Sequence, residues 1–162
     1  MNSENFQNRS LRNIFGKFAT GVCAVSYYNK DYKPIGITVN SFTSVSLDPA
    51  LALWCIDNDS ELYEEIIDKD KYIFNFLSED QLNIAQLLSM KNNHNLNNID
   101  VINHDFGLIF KDSIGWISCL KKEIIKSGDH SIIIGEVDNF EILNEDKKPL
   151  IFWSGDFSSK IS

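Results

Sequence analysis

Apolar positions repeat with helical spacing near the start of the chain and with strand spacing along most of the remaining sequence. Four apolar side chains at i, i+3, i+4 and i+7 predict an amphipathic helix over residues 8–20, with one stripe packed on a core and Gly21 ending it. These side chains are Leu11, Ile14, Phe15 and Phe18. A core-facing helix is therefore expected before the first strand.

Short apolar runs separated by polar turns predict strands through the rest of the sequence. Residues 21–28 and 35–39 flank a polar turn with Pro34 and predict a hairpin. The run Leu51–Asp57 is apolar up to its last residue, which predicts a strand buried on both faces. Four later strands are predicted over residues 72–77, 115–126, 130–143 and 149–155.

Two more helices are predicted between these strands. Residues 58–70 begin with capping side chains and carry acidic residues early, which suits the helix dipole. Ser78 and Gln81 have the spacing of a capping box and predict the start of another helix. The Asn-rich residues 91–105 lack periodicity and predict a mobile loop.

The order of these elements favours a mostly β fold, an antiparallel β-barrel with attached helices. The length of 162 residues and the 43% of hydrophobic residues suit a single domain over residues 1–162. No internal repeat or linker marks a second domain.

The chain is acidic, with 15 Lys and Arg against 23 Asp and Glu and a net charge of −8. Bulk electrostatics therefore disfavour a nucleic acid or an anionic membrane as partner. The start lacks the apolar run of a signal peptide, and no stretch reaches the roughly 20 apolar residues that span a bilayer. A soluble, cytoplasmic protein is the expectation.

Three cysteines lie far apart inside apolar, strand-like segments and lack CxxC spacing. We expect Cys23, Cys55 and Cys119 to be buried free thiols rather than disulfide partners or metal ligands. No metal site is expected.

The stretch GITVNSFTSVSLDP, Gly36–Pro49, starts as a strand and then fills with hydroxyl and amide side chains. Its register breaks between Thr38 and Val45, which predicts a bend or bulge near Phe42. Small polar residues at a bend leave backbone N–H groups free and add neutral donors that can cradle a phosphate or a polar heterocycle. An exposed sheet edge with ordinary surface Ser and Thr residues fits the pattern equally well.

Four stretches resemble the flavin reductase-like family in their order and spacing. They are FGKFATGVCAVSYY, PIGITVNSFTSVSLDPALALWCIDNDS, YIFNFLSEDQLNIAQLLS and SGDHSIIIGEVDNFEIL. The resemblance extends from about Leu11 to Phe157 and implies a split β-barrel that binds flavin. It also implies a homodimer in which each flavin site borrows residues from the other subunit.

The resemblance implies an NAD(P)H-dependent flavin reductase that transfers hydride from NADH or NADPH to FMN or FAD. Reduced flavin would then pass to a partner flavin-dependent monooxygenase. The lack of GxSxG, HExxH, Walker and GxGxxG motifs fits, because the two cofactors themselves carry out the chemistry. The alternative is a non-catalytic flavin-binding or electron-transfer module of the same fold. A relative of pyridoxine-phosphate oxidases would need Lys or Arg in Gly36–Pro49, which has neither.

Carried over by position, the resemblance implies ten flavin-binding residues. They are Thr38, Asn40, Ser41, Thr43, Ser44, Ser46, Cys55, Asp57, Ser60 and Phe157. Cys55 would lie near the flavin ring, and Asp57 and Ser60 near the ribityl chain or phosphate. Ser60 fits a helix cap equally well, and Phe157 fits a hydrophobic anchor for the C-terminal tail.

His130 is the candidate catalytic residue, because the resemblance places it on the nicotinamide side of the flavin. Gly128 permits the tight turn before it, although on sequence alone a capped turn residue is the commoner role. His94 and His104 are expected to be solvent-exposed and without a role. Residues 90–112 depart from the family pattern, which leaves open the choices between NADH and NADPH and between FMN and FAD.

Overall fold

Within residues 3–158, which the computed structural model describes, the chain forms three α-helices, a short 3₁₀ helix and twelve strands. The helices are α1 (Ser3–Phe15), α2 (Tyr63–Ile67) and α3 (Leu82–Leu88), and the 3₁₀ helix is Glu79–Gln81. The strands are β1 (Thr20–Gly21), β2 (Cys23–Tyr28), β3 (Pro34–Val39), β4 (Thr43–Leu47), β5 (Ala50–Asp57), β6 (Lys71–Phe76), β7 (Val101–His104), β8 (Gly107–Phe110), β9 (Gly115–Ser127), β10 (His130–Ile142), β11 (Ile151–Trp153) and β12 (Asp156–Ser158).

The main sheet of this described region is antiparallel and has the order β3-β2-β6-β9-β10-β5-β4. Its two edge strands, β3 and β4, are consecutive in sequence and are joined only by residues 40–42. That connection spans no more than about 14 Å between the flanking Cα atoms. The sheet must therefore curl until its edges nearly meet, although in the described part of the chain β3 and β4 do not pair with each other. The predicted antiparallel split β-barrel is confirmed.

The barrel interior is filled by aromatic side chains that come from neighbouring strands. Trp54, Tyr72 and Phe74 are almost fully buried and pack edge to face, with ring centroids 5.3 to 6.2 Å apart. A second cluster outside the barrel packs α3 and β8 against β2 through Ala24, Leu88 and other buried residues. The capping box that leads into α3 is present as predicted, with the Ser78 backbone N–H donating to Gln81 Oε1 at 3.0 Å.

Helix α1 differs from its prediction in both position and packing. It ends at Phe15 rather than near Gly21, and its predicted core-facing stripe is exposed, with Phe18 beyond its end 78% exposed. The reason is its attachment: Ser154 N–H donates to Gly16 O at 2.7 Å, which holds the end of α1 beside β11 and β12. The stripe therefore faces away from the core of its own chain.

Strand β5 is also buried differently from the prediction. Ala52, Trp54 and Ile56 are buried, but the alternate residues Leu53 and Cys55 are only half-buried. The expectation of burial on both faces was wrong, because no packed layer covers the second face completely. At Cys55 the backbone of β5 instead bonds to Ser41 in the connection between β3 and β4.

The Asn-rich residues 91–105 contain more structure than the predicted mobile loop. Leu96 is 2% exposed, and β7 pairs with β8. Two buried side chains attach this hairpin to the barrel: Ser26 Oγ donates to Leu108 O at 2.6 Å, and Asn75 Nδ2 donates to the same oxygen at 3.0 Å. Buried hydrogen bonds between residues far apart in sequence therefore order the β7–β8 hairpin.

The predicted bend near Phe42 is present, and one side chain stabilises it. Ser41 Oγ donates to Cys55 O at 3.1 Å and accepts from the Cys55 N–H at 2.9 Å. Regular pairing between β4 and β5 reaches only as far as Thr43 and Leu53. The Ser41 hydroxyl therefore continues the hydrogen bonding of β5 where the neighbouring strand has turned away.

Replacing Ser41 by Ala should lower the free energy of unfolding by about 1–3 kcal/mol, because both Cys55 backbone groups lose their partner in a half-buried position. Equilibrium urea denaturation measures this change. Ser44→Ala is the matched control, since Ser44 is exposed on β4, and its effect should stay within about 0.5 kcal/mol. Equal stability of the two variants would contradict the role given to Ser41.

Candidate functional site

A cleft of about 220 Å³ opens where β3 ends beside the last residues of β5. Two chain segments and one turn residue line it. They are Ile37, Thr38, Val39, Asn40, Ser41, Cys55, Ile56, Asp57, Ser60 and His130. The structure thus brings together seven of the eleven residues that the sequence singled out: Thr38, Asn40, Ser41, Cys55, Asp57, Ser60 and His130.

Strand register brings His130 to the cleft. His130 lies opposite Asp57 in the pairing of β10 with β5, so the first residue of one strand meets the last of the other. The turn before His130 contains Gly128 at φ +69°, a left-handed conformation that favours glycine. Asn58, which the sequence did not identify, holds this turn by donating from Nδ2 to Gly128 O at 3.2 Å. The sequence feature that could have identified Asn58 is its position directly after Asp57, the polar end of β5.

The His130 ring lies at the mouth of the cleft and is 45% exposed. Its Nδ1 is 2.8 Å from Asp129 Oδ1. That hydrogen bond is the main cause of a lowered pKa of Asp129, which stays a carboxylate at neutral pH. The contact orients the imidazole and leaves Nε2 as its other polar atom.

Several cleft hydroxyls already have partners in the fold. Thr38 Oγ1 donates to Ala85 O in α3 at 2.9 Å, and Ser41 Oγ bonds to the backbone of Cys55. Thr38 can therefore offer a ligand only an acceptor lone pair. Ser60 Oγ accepts from Leu62 N–H at 3.3 Å and keeps its own proton to donate. Among the described residues, the Asn40 amide has no hydrogen-bond partner.

Ser60 does not cap α2 directly, because that helix begins at Tyr63 and its N-cap is Leu62. The Ser60 hydroxyl instead closes a local turn ahead of the helix. The predicted helix over residues 58–70 is correspondingly shorter, and Ser60 is the residue of this range that lines the cleft.

The cysteines are free thiols, as predicted. Burial raises the pKa of Cys23 and of Cys119 to about 12. Cys55 at the cleft is only half-buried, contrary to the prediction of a buried thiol, because it lies beside the open cleft. Partial burial still raises the pKa of its thiol. Cys55 is therefore neutral at physiological pH and forms part of the less polar surface of the cleft together with Ile37 and Ile56.

Four candidate residues lie outside this cleft. Thr43, Ser44 and Ser46 belong to the edge strand β4, where Thr43 and Ser44 are exposed and Ser46 Oγ accepts from Asp48 N–H at 3.3 Å. Phe157 lies on β12, with its ring centroid 5.2 Å from that of Phe152. Phe157 packs against the second hydrophobic cluster, the arrangement expected of an anchor for the C-terminal tail.

The two remaining histidines are not solvent-exposed, contrary to the prediction. The His94 side chain is 13% exposed, with Nδ1 3.0 Å from Gly36 O and Nε2 2.7 Å from Glu61 Oε1. His104 is half-buried, and its ring centroid is 5.3 Å from those of Phe106 and Trp116. The His94 partners Gly36 and Glu61 are distant in sequence, as is Trp116 beside His104, so local pattern did not reveal these contacts.

The chemistry of the cleft suits a flat polar heterocycle with a hydroxylated tail. The lining residues include neutral donors and acceptors, apolar side chains and the Asp57 carboxyl group, and no Lys or Arg is among them. Within residues 3–158 no group of three or more His, Cys, Asp and Glu side chains is placed to hold a metal ion. No helix in the described part of the chain is long and apolar enough to cross a membrane.

Comparison with known proteins identifies the family. The model of the flavin reductase like domain matches residues 15–160. A probable flavin reductase of Rhizobium meliloti (strain 1021) is 42% identical over 142 residues, which cover 87% of this chain and 46% of the relative. The reductase component of a flavin-dependent trigonelline monooxygenase from Acinetobacter baylyi (strain ATCC 33305 / BD413 / ADP1) is 35% identical over 133 residues, covering 82% of this chain and 43% of the relative. The chain thus spans about half the length of these two curated relatives.

A solved structure has the same fold. The Streptomyces globisporus C-1027 NADH:FAD oxidoreductase SgcE6, in complex with NAD and FAD fragments, superposes with a TM-score of 0.88 at 25% identity, covering 97% of this chain and 94% of that one. Together with the family match over nearly the whole sequence, these relationships show that the chain belongs to the family of flavin reductase like domains.

Proposed function

We propose that the protein is an NAD(P)H-dependent flavin reductase that binds FMN or FAD in the cleft between β3 and β5. The observation that carries the proposal is the convergence of Thr38–Ser41 with Asp57, Ser60 and His130 on one cleft of a flavin reductase like domain. The likeness to an NADH:FAD oxidoreductase and to a probable flavin reductase supports it.

The proposed roles of the cleft residues follow from their free hydrogen-bonding groups. The Asn40 amide and the Ser60 hydroxyl donate to flavin oxygens, and Thr38 Oγ1 accepts from a flavin N–H or ribityl hydroxyl. Ile37 and Ile56 pack against the less polar parts of the ligand. A flavin phosphate is bound by neutral donors, since no Lys or Arg lines the cleft.

When both cofactors are bound, the nicotinamide supplies a hydride and the flavin accepts it. The protein contributes position and exclusion of water rather than an acid, base or nucleophile. His130 lies at the open side of the cleft, where its imidazole can hydrogen-bond to the nicotinamide carboxamide and orient the ring. This role makes His130 the candidate catalytic residue.

A homodimer is part of the proposal. The 220 Å³ cleft of one chain is smaller than the roughly 300–1,000 Å³ of typical ligand pockets, so a second subunit would complete it. Exposed apolar side chains offer a surface for that subunit: Phe140 is 71% and Ile142 68% exposed, and both border a groove of about 280 Å³. The exposed stripe of α1 is a second such surface.

We further propose that reduced flavin passes to a separate flavin-dependent monooxygenase in the cytoplasm. The likeness to a reductase component of the trigonelline monooxygenase supports this partner. Because this chain is acidic, a basic surface on the monooxygenase would attract it electrostatically.

The purified protein should oxidise NADH or NADPH when FMN or FAD is added, as followed by the loss of reduced-nicotinamide absorbance. His130→Ala should slow turnover roughly tenfold, because the nicotinamide is less well oriented. Lys126→Ala is the matched control, since Lys126 is exposed on the same hairpin, and it should behave like wild type. Flavin binding without nucleotide oxidation would overturn the reductase proposal in favour of a non-catalytic flavin-binding module.

The double variant Phe140→Ser/Ile142→Ser should be monomeric in sedimentation experiments where the wild type is dimeric, because it removes apolar area from the proposed interface. Flavin affinity should fall with the loss of the dimer. Ile102→Ser is the control, since Ile102 is an exposed apolar residue on β7. A monomeric wild type would contradict the homodimer.

A further inference from the structure

We propose that His94 is a positioning residue for the flavin cleft, joining its two walls through a proton shared with Glu61. Gly36, which His94 contacts, directly precedes the cleft residue Ile37 on β3. Glu61, which it also contacts, directly follows the cleft residue Ser60. The His94 imidazole thus connects the β3 wall of the cleft, through Gly36, with the wall that contains Ser60, through Glu61.

The hydrogen-bond chemistry fixes where the protons lie. A backbone carbonyl only accepts, so the 3.0 Å contact with Gly36 O requires a proton on His94 Nδ1. A carboxylate also only accepts, so the 2.7 Å contact with Glu61 Oε1 requires a second proton between Nε2 and that oxygen. Both contacts exist together only while the His94 and Glu61 pair retains this shared proton.

The surroundings of the pair hold it in place and favour a carboxylate at Glu61. The pKa of Glu61 is lowered, first by the hydrogen bond from the Asn92 backbone N–H and then by His94. Lys91, on the same loop as His94, contributes a further favourable charge. From β3 the pair meets the Gly36 carbonyl, a neutral group. These are the groups that set the charge balance around the shared proton.

The loop that carries His94 is itself fixed on β3, so the link is rigid at that end. Gly36 N–H donates to His94 O at 2.8 Å. A Cβ at Gly36 would approach Leu96 Cδ2 within 2.6 Å, which shows how closely the loop packs there. The wall of the cleft that contains Ser60, in contrast, is held to the loop of Asn92 and His94 through the Glu61 side chain. Loss of the shared proton would leave one imidazole N–H for two acceptors and so weaken the link between the walls, while Glu61 Oε1 still accepts from the Asn92 backbone N–H.

The expected consequence is a pH-dependent flavin affinity. At a pH high enough for the pair to lose this proton, a neutral imidazole has one N–H for two acceptors, so one of the two contacts is lost. The flavin dissociation constant of the wild type should therefore rise about tenfold between about pH 6 and pH 9, on the scale of one charge-assisted hydrogen bond. Glu61→Gln should flatten this dependence, because its amide N–H can donate to a neutral His94.

His94→Asn provides the complementary variant. The shorter amide can still donate to Gly36 O but does not reach Glu61, so flavin should bind about tenfold more weakly at every pH. The KM for flavin should rise while kcat stays within about twofold, since the hydride-transfer geometry at His130 is untouched. A merely stabilising role for His94 would not produce that split.

The experiment is fluorescence titration with FMN, and in parallel FAD, of wild type, Glu61→Gln and His94→Asn from about pH 6 to pH 9. Because the role of His94 rests on the proposed flavin site, wild type that binds neither flavin would overturn both proposals. Wild type that binds with a pH-independent affinity, or His94→Asn that matches wild type, would overturn only the role of His94. If His94→Asn does not fold, the exposed Glu61→Gln variant still decides: a pH dependence equal to that of wild type would contradict the inference.

Discussion

The short connection of residues 40–42 is the constraint on which the rest of the structure depends. It joins the two edges of the main sheet, so the sheet must close into a barrel without a hydrogen-bonded ladder between β3 and β4. Closure leaves a seam, the gap between β3 and β4 at residues 40–42. The backbone groups of β5 that face this seam need hydrogen-bond partners. Ser41 supplies them for Cys55. The cleft lies at the end of this seam, where β5 continues past the point at which β4 has ended its pairing.

The polar run at the end of β3 therefore stabilises the fold and, in the proposed function, also binds the flavin. Ser41 and Thr38 use their hydroxyl groups to attach the seam to β5 and to α3. Asn40 and Ser60 remain able to donate to a ligand. Neutral hydroxyl and amide groups suit both folding and ligand binding. They can donate hydrogen bonds to a phosphate, and they need no charged side chain to be buried without a partner. On β4 the Thr43 and Ser44 side chains are exposed, as the sheet-edge interpretation of the pattern expects.

Local signals predicted most of the fold, and non-local contacts explain what they missed. The hairpin of β2 and β3, the long strands β9 and β10 and the capping box at Ser78 follow from alternation and turn chemistry within a few residues. The stripe of α1 was predicted to face the core but is exposed. Apolar periodicity identifies the apolar face of a helix without showing what packs against that face. His94 was mispredicted because its partner Glu61 lies 33 residues away. The candidate flavin-site residues came from motif resemblance, and the strand register explains why Asp57 lies opposite His130.

The position of the flavin is the central claim, and a crystal structure of the protein grown with FMN tests it most directly. We expect density for the isoalloxazine ring between the Thr38–Ser41 segment and the Asp57–Ser60 segment, with the His130 imidazole on its open side. FMN bound elsewhere, with Asn40 and Ser60 making no contact to it, would contradict this placement.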